Sequence, residues 1–192
     1  NGGDAFVAAR HLQSDGITTR TILLARRGDV SRDSLENLRR VEGAGGEVVS
    51  AETAAELDAQ REAAGSFDVV VDGILGTGVS GTVAGHLAEA IRLIRSLRAA
   101  TIAIDLPSGL DATSGAVCGV AVRASATVAM GLPKKGMVSA DGPEHCGRIR
   151  VADIGIPGDL LGAVGGEGEL VVEQDLYALF PPRARQVRPA GW

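Results

Sequence analysis

The feature that most narrows the possible folds is a recurring unit. A short apolar run rich in β-branched residues hands over to a stretch of helix length. Runs of strand length are Thr19 to Ala25 (TRTILLA), Glu47 to Val49, Phe67 to Leu75 (FDVVVDGIL), Thr101 to Asp105 (TIAID), Ala124 to Met130 and Ile149 to Ile154. Helical spacing is expected over Asp4 to Leu12 (DAFVAARHL), over Ala51 to Ala64, and over Val83 to Leu97, where Leu87, Ala90, Ile91 and Ile94 share a face. Another helix is expected from a polar cap at Ser31 or Asp33 through Arg40, stopped by Gly43-Ala44-Gly45-Gly46. The strands are apolar on both faces. Such strands belong in a parallel sheet covered on both sides, so the expected class is α/β.

The 192 residues suit one domain with its own core, because a domain takes ~150 residues. Hydrophobic residues at 45% and charged residues at 22% exclude a disordered or fibrous chain. Five aromatics are too few for a single-strand nucleic-acid binder that stacks bases. The net charge of −5 argues against a surface for phosphate backbones or anionic membranes. Cys118 and Cys146 make neither a disulfide framework nor a zinc site, and His11, His86 and His145 lack metal spacing. No run of ~18 apolar residues and no signal peptide is visible, and the expected location is the cytoplasm. The first residues, Asn1-Gly2-Gly3-Asp4, read as a loop, so the sequence is expected to be a piece of a longer chain.

In open α/β sheets ligands bind beyond the carboxyl ends of the strands. Three polar loops fall there. Asn1-Gly2-Gly3-Asp4 precedes a helix, which suits an anion, although Gly-Gly-Asp is equally an ordinary turn and cap. The loop from Asp72 to Gly81 carries four glycines; Asp72 can be a cation ligand, a ribose partner or a cap. The third loop, Asp105-Leu106-Pro107-Ser108-Gly109, starts with an acid directly after the strand run Thr101-Ile102-Ala103-Ile104. Partial burial of an acid raises its pKa and suits proton transfer; a carboxylate bonded to the Ser108 or Gly109 amide is the structural alternative. Ser108 has no elbow motif or obvious histidine to make it a nucleophile, but its oxygens suit a hard cation. Lys134 and Lys135 sit in a Gly-Leu-Pro-Lys-Lys-Gly loop without Walker spacing; either can meet a phosphate or lie solvated. Arg26-Arg27 follows the second strand, where a dinucleotide fold places an acid for NAD or an Arg for NADP, but the full glycine fingerprint is absent.

Taken in order, these segments resemble one family. They are Asn1-Gly2-Gly3-Asp4 with its helix, Val71-Asp72-Gly73-Ile74-Leu75-Gly76-Thr77-Gly78, and Ala103-Ile104-Asp105-Leu106-Pro107-Ser108-Gly109-Leu110-Asp111. Ala126-Thr127-Val128 leading to Pro133-Lys134, and Gly147-Arg148-Ile149 leading to Asp153-Ile154-Gly155-Ile156-Pro157, complete the set. Their order and spacing over residues 1–160 are similar to the YjeF N-terminal domain, the NAD(P)H-hydrate epimerase. The resemblance implies a Rossmann-like three-layer α/β/α sandwich with a mostly parallel central sheet, a homodimer, and interconversion of the R and S forms of hydrated NADH or NADPH. It implies one potassium ion, held by Asn1, Asp72 and Ser108. Substrate contacts are implied at Asn1, Gly2, Gly3 and Asp4, at Gly76, Thr77, Gly78, Val79, Ser80, Gly81 and Thr82, and at Asp105.

Epimerisation requires a hydroxyl to leave and water to return on the other face. A carboxyl group can serve both steps, so Asp105 is the expected acid/base, with Lys134 a second polar candidate. The expected epimerase domain spans 1–172, truncated at its N-terminus. The family carries another Asn before the position of Asn1, and a helix and a central strand before that, so this piece alone is expected to fold poorly or to be inactive. Ala5 stands where the family has Gly, and the loop after Asp72 is rich in small residues rather than aromatic. Residues 173–192 read as a linker. Leu179-Phe180-Pro181-Pro182-Arg183 resembles the entry to an ADP-dependent dehydratase domain, although Val187-Arg188-Pro189 replaces the usual His-Lys-Gly. Two other classes fit the same loops: a non-catalytic module binding a nucleotide or ADP-ribose, and a protein-interaction domain.

Overall fold

A computed structural model describes residues 1–79 and 81–160. Asn1–Gly155 form one unit; the domain edge expected at 172 and the linker at 173–192 lie outside the described residues.

This unit runs α1 (Gly2–Ser14), β1 (Arg20–Leu23), a 3-10 turn (Arg27–Asp29), α2 (Arg32–Gly43), β2 (Glu47–Ser50), α3 (Ala54–Asp58) and α4 (Arg61–Ala64). It continues with β3 (Val69–Asp72), α5 (Gly85–Ser96), β4 (Ala100–Ile104), β5 (Ala126–Met130), a 3-10 turn (Lys135–Met137), α6 (Gly142–Cys146) and β6 (Arg148–Ala152). Every strand pairing is parallel. The strands form two sheets, β1-β2 and β3-β4-β5-β6. Among the described residues β1 pairs only with β2 and β3 only with β4, so each keeps one edge without a strand partner.

The layering follows from the two-residue period of a strand. Leu23 of β1 packs with Phe6 of α1 and with Leu38 and Val41 of α2. Its neighbours Ile22 and Leu24 join the opposite cluster, with Leu57 of α3 and Ala90 and Leu93 of α5. Helices therefore cover both faces. Ala88 and Ile91 of α5 also pack on Val120 and Val122, while Ala129 of β5 packs on Leu106, Leu110, Met137 and Cys146. Leu38 has no exposed surface, and truncating such a side chain to Ala costs about 2–5 kcal/mol.

The helix expected over 51–64 is two short ones. Thr53 and Glu56 form a reciprocal cap, with Thr53 at the N-cap and Glu56 inside the first turn, so α3 starts at Ala54. It ends where the Gln60 N–H bonds to Leu57 O, three residues back, in a tighter turn. Gln60 then accepts a hydrogen bond from Arg20 of β1 at 2.8 Å. The strand expected to reach Leu75 stops at Asp72, because the Asp72 carboxylate takes the Ile74 N–H at 3.2 Å and turns the chain. Helix α6 has no counterpart in the sequence reading; five residues are too few for periodicity, although Pro143 in its first turn is a start signal.

Candidate active site

Parallel pairing puts the carboxyl ends of β3, β4 and β5 side by side. Asp72 pairs with Ala103, and Ile104 with Val128. The loops leaving these ends bring Asp72, Ser108, Asn1, Asp105 and Lys134 into one connected set.

Asp72 has no exposed surface. Its Oδ1 accepts from the Ser108 hydroxyl at 2.5 Å and its Oδ2 from the Ser108 N–H at 2.8 Å. The Ser108 oxygen also receives the Leu75 N–H at 2.9 Å and lies 3.3 Å from Leu75 O. Burial pushes the Asp72 carboxyl above the ordinary carboxylate range, and the hydrogen bonds from Ser108 and Ile74 only partly oppose it. Among the described residues no basic side chain pairs with it. Ser108 is held by its own carbonyl, which accepts the Val122 N–H at 2.9 Å. Gly109 follows at φ +88, where a Cβ would fall 2.0 Å from Val120 O, so only glycine fits the turn.

Asn1 caps α1 and reaches across two loops. Its Nδ2 donates to Leu75 O at 2.7 Å and to Ile104 O at 2.8 Å. Two carbonyl acceptors fix which amide atom faces them, since only the nitrogen can donate. The amide oxygen lies against Gly76, whose absent Cβ would meet it at 2.6 Å. Asn1 therefore clamps the β3 and β4 loops together.

Asp105 ends β4 in a left-handed conformation, φ +64. The Leu106 N–H bonds to Ile104 O at 2.7 Å, closing a three-residue turn with Asp105 at its centre. That turn is rare and strained; a non-glycine residue there costs of order 1–3 kcal/mol and persists only where the surroundings impose it. Here the Asp105 N–H is tied to Val128 O at 2.8 Å, and Oδ1 accepts the Met130 N–H at 3.0 Å and Lys134 Nζ. Lys134 Nζ also donates to Met130 O at 3.2 Å. The carboxylate thus faces the β5 side of the cleft, with its side chain 14% exposed.

The glycine-rich loop is the open side. Thr77, Gly78, Gly81 and Thr82 are exposed and Val79 is partly so; Ser80 lies outside the described residues. The loop is pinned at its end, where the Val83 N–H meets Cys118 O at 2.9 Å. Gly2, Gly3 and Asp4 are half-buried in the first turn of α1. Ala5 lies over Gly73, where a Cβ would come within 2.6 Å of it, so the pair tolerates one methyl. Arg26 and Arg27 face outward, onto Glu52 and Glu42. His86 bonds Leu24 O and His145 bonds Val122 O, each at 2.7 Å. The sequence reading named the acids, Ser108 and Lys134. It missed the Asn1 clamp, the Met130 N–H and the Leu75 and Ile104 carbonyls, for backbone groups leave no signal in residue type.

Residues 1–136 match the family described as YjeF-related protein N-terminus. The chain belongs to the YjeF N-terminal family. It is 40% identical over 161 residues to the bifunctional NAD(P)H-hydrate repair enzyme of Moorella thermoacetica, covering 84% of this chain and 30% of that protein. It is 35% identical to the NAD(P)H-hydrate epimerase of Oenococcus oeni, covering 81% of this chain and 70% of the relative. The corresponding figures for the epimerase of Levilactobacillus brevis are 38%, 81% and 68%. The chain thus spans about 30% of the length of the bifunctional relative. The crystal structure of yeast ynu0 superposes with a TM-score of 0.68 at 17% identity, covering 90% of this chain and 70% of that one. That likeness shows the fold: the family's parallel α/β architecture is the one described above. Among the described residues no helix is long and apolar enough to cross a membrane.

Proposed function

We propose that this chain is an isomerase that interconverts the R and S forms of hydrated NADH and NADPH, with Asp105 as the acid/base. The observation that carries this reading is the Asp105 carboxylate, aimed from a strained turn at the end of β4 beside the Asn1 clamp. Family membership and the names of the epimerase relatives support the substrate class. A protonated Asp105 gives its proton to the substrate hydroxyl, the C–O bond breaks and water departs. The ring nitrogen's lone pair stabilises the cation left behind, and the carboxylate stabilises it further. Water then adds to the opposite face and returns its proton to Asp105, so the step is proton-neutral. The glycine-rich loop, residues 76–82, where Thr77, Gly78, Gly81 and Thr82 are exposed, takes the dinucleotide, since backbone can approach a diphosphate closely there.

Potassium fits the neighbouring group in kind. Asp72 and Ser108 present oxygen donors around a buried carboxylate that has no cationic partner among the described residues. Asp72, Ser108 and Asn1 would hold the ion. Once bound, it supplies positive charge that steadies the loops and offsets the substrate's diphosphate.

The test is to supply purified S and R epimers separately to the full-length protein and follow each by chromatography. Equilibration well above the uncatalysed rate is expected. Tight binding without interconversion would favour the nucleotide-binding module instead.

A further inference from the structure

Lys134 is placed too firmly for a solvent lysine. Its carbonyl accepts the Met137 N–H at 3.0 Å, and Met137 is fully buried. Two residues after Lys134, Gly136 donates to Ala112 O at 2.7 Å and sits where a Cβ would strike Asp111 O at 2.1 Å. The backbone of the loop is thus clamped on both sides of Lys135. From that base the Lys134 side chain, 20% exposed, reaches back over the end of β5 to Asp105 Oδ1 and Met130 O. Among the described residues both hydrogen bonds to the Asp105 carboxylate, from Lys134 and from Met130, land on Oδ1. Neither reaches Oδ2.

We infer that Lys134 is a positioning residue for epimerisation: it anchors Oδ1 of Asp105 and balances the charge the carboxyl gains as it gives up its proton, so that Oδ2 alone exchanges protons with the substrate hydroxyl and water. The inference rests on the epimerase reading above. A partly buried ion pair of this kind is a stronger restraint than an exposed one, whose long side chains gain little from a fixed geometry. The strained turn supplies direction to the backbone and Lys134 supplies it to the carboxylate. Because Lys134 acts through Asp105, it contributes to turnover and not to the binding of the dinucleotide.

The experiment measures kcat, KM and thermal unfolding for the full-length protein and for K134M, K134R, D105N and the K134M/D105N double variant. K134M is expected to lose at least about tenfold in kcat, as groups that share one catalytic function do, with KM within about twofold. K134R, which keeps a donor and the charge, is expected to recover part of that loss. Adding K134M to D105N is expected to cost nothing further, since residues that act as one unit are not additive. If K134M melts markedly lower, K134Q carries the same comparison. Wild-type kcat in a folded K134M or K134Q protein overturns the inference and leaves the epimerase reading standing. So does a K134M loss that multiplies fully with that of D105N. A wild-type protein that leaves both epimers unchanged overturns the epimerase reading, and this inference with it.

Discussion

Asp72 and Asp105 close neighbouring strands of one parallel sheet, yet their surroundings differ in every respect that matters for chemistry. Asp72 is fully buried, in ordinary strand geometry, and among the described residues meets only neutral donors from Ser108 and Ile74. Asp105 is partly open, held at φ +64, and meets an ammonium. A buried carboxylate with neutral partners alone has uncompensated charge and calls for a cation. A carboxylate with one oxygen anchored and the other open can pass protons. In the proposed reading, two acids two positions apart in register divide the work: one organises the loops and the other reacts.

The largest effect should come from removing the reactive acid. D105N is expected to lower the rate of epimer interconversion by about 10²–10⁴-fold, while folding and dinucleotide binding stay near wild type. Asn tolerates the left-handed conformation better than other residues, so the turn survives. Unfolding curves and equilibrium binding run beside the kinetics check this. S108A acts on the other acid. It removes a donor to Asp72 and the acceptor of the Leu75 N–H, and should cost about 1–3 kcal/mol by leaving a buried group unsatisfied. Denaturant titration measures it, and a loss below a few tenths of a kcal/mol would break the contrast between the two acids.

Smaller effects concern the cation and pH. Potassium at ten times its Kd should stabilise the wild type by about 1.4 kcal/mol, read as a rise in melting temperature over a buffer of large organic cations. D72N should abolish that response, and an undiminished response would exclude Asp72 as a ligand. The smallest effect is the pH dependence in potassium-free buffer. Burial holds the Asp72 carboxyl above its unfolded value. Its contribution is therefore fully present below the unfolded pKa and is lost as pH rises through the folded one. The wild type should lose stability over that rise relative to D72N; equal pH profiles would show that burial does not perturb this group.

Much of this layout is legible in the residues. TIAID and FDVVVDGIL announce parallel strands, although Val69 of β3 is exposed, and the acids that end them stand at the carboxyl edge of the sheet. Lys134 stands out as a charge in a glycine and proline loop after a strand. The remainder depends on geometry that composition does not encode. Nothing in Asp105-Leu106-Pro107 specifies φ +64, because the turn is imposed by bonds to Val128, Met130 and Lys134, at least 23 residues away. The Asn1 amide bridges carbonyls 74 and 103 positions distant. The break of the helix expected at 51–64 likewise reflects a tertiary bond, from Arg20 to Gln60.

The central claim is that Asp105 drives departure of the substrate hydroxyl and return of water. The most direct test runs the reaction in ¹⁸O-labelled water, starting from a single unlabelled epimer, and reads the hydroxyl oxygen of the product by mass spectrometry. The account predicts one ¹⁸O per epimer formed with the wild-type protein and incorporation reduced to the uncatalysed rate with D105N. Epimer formed by the wild type with its original oxygen retained, or labelling by D105N as fast as by the wild type, would contradict it.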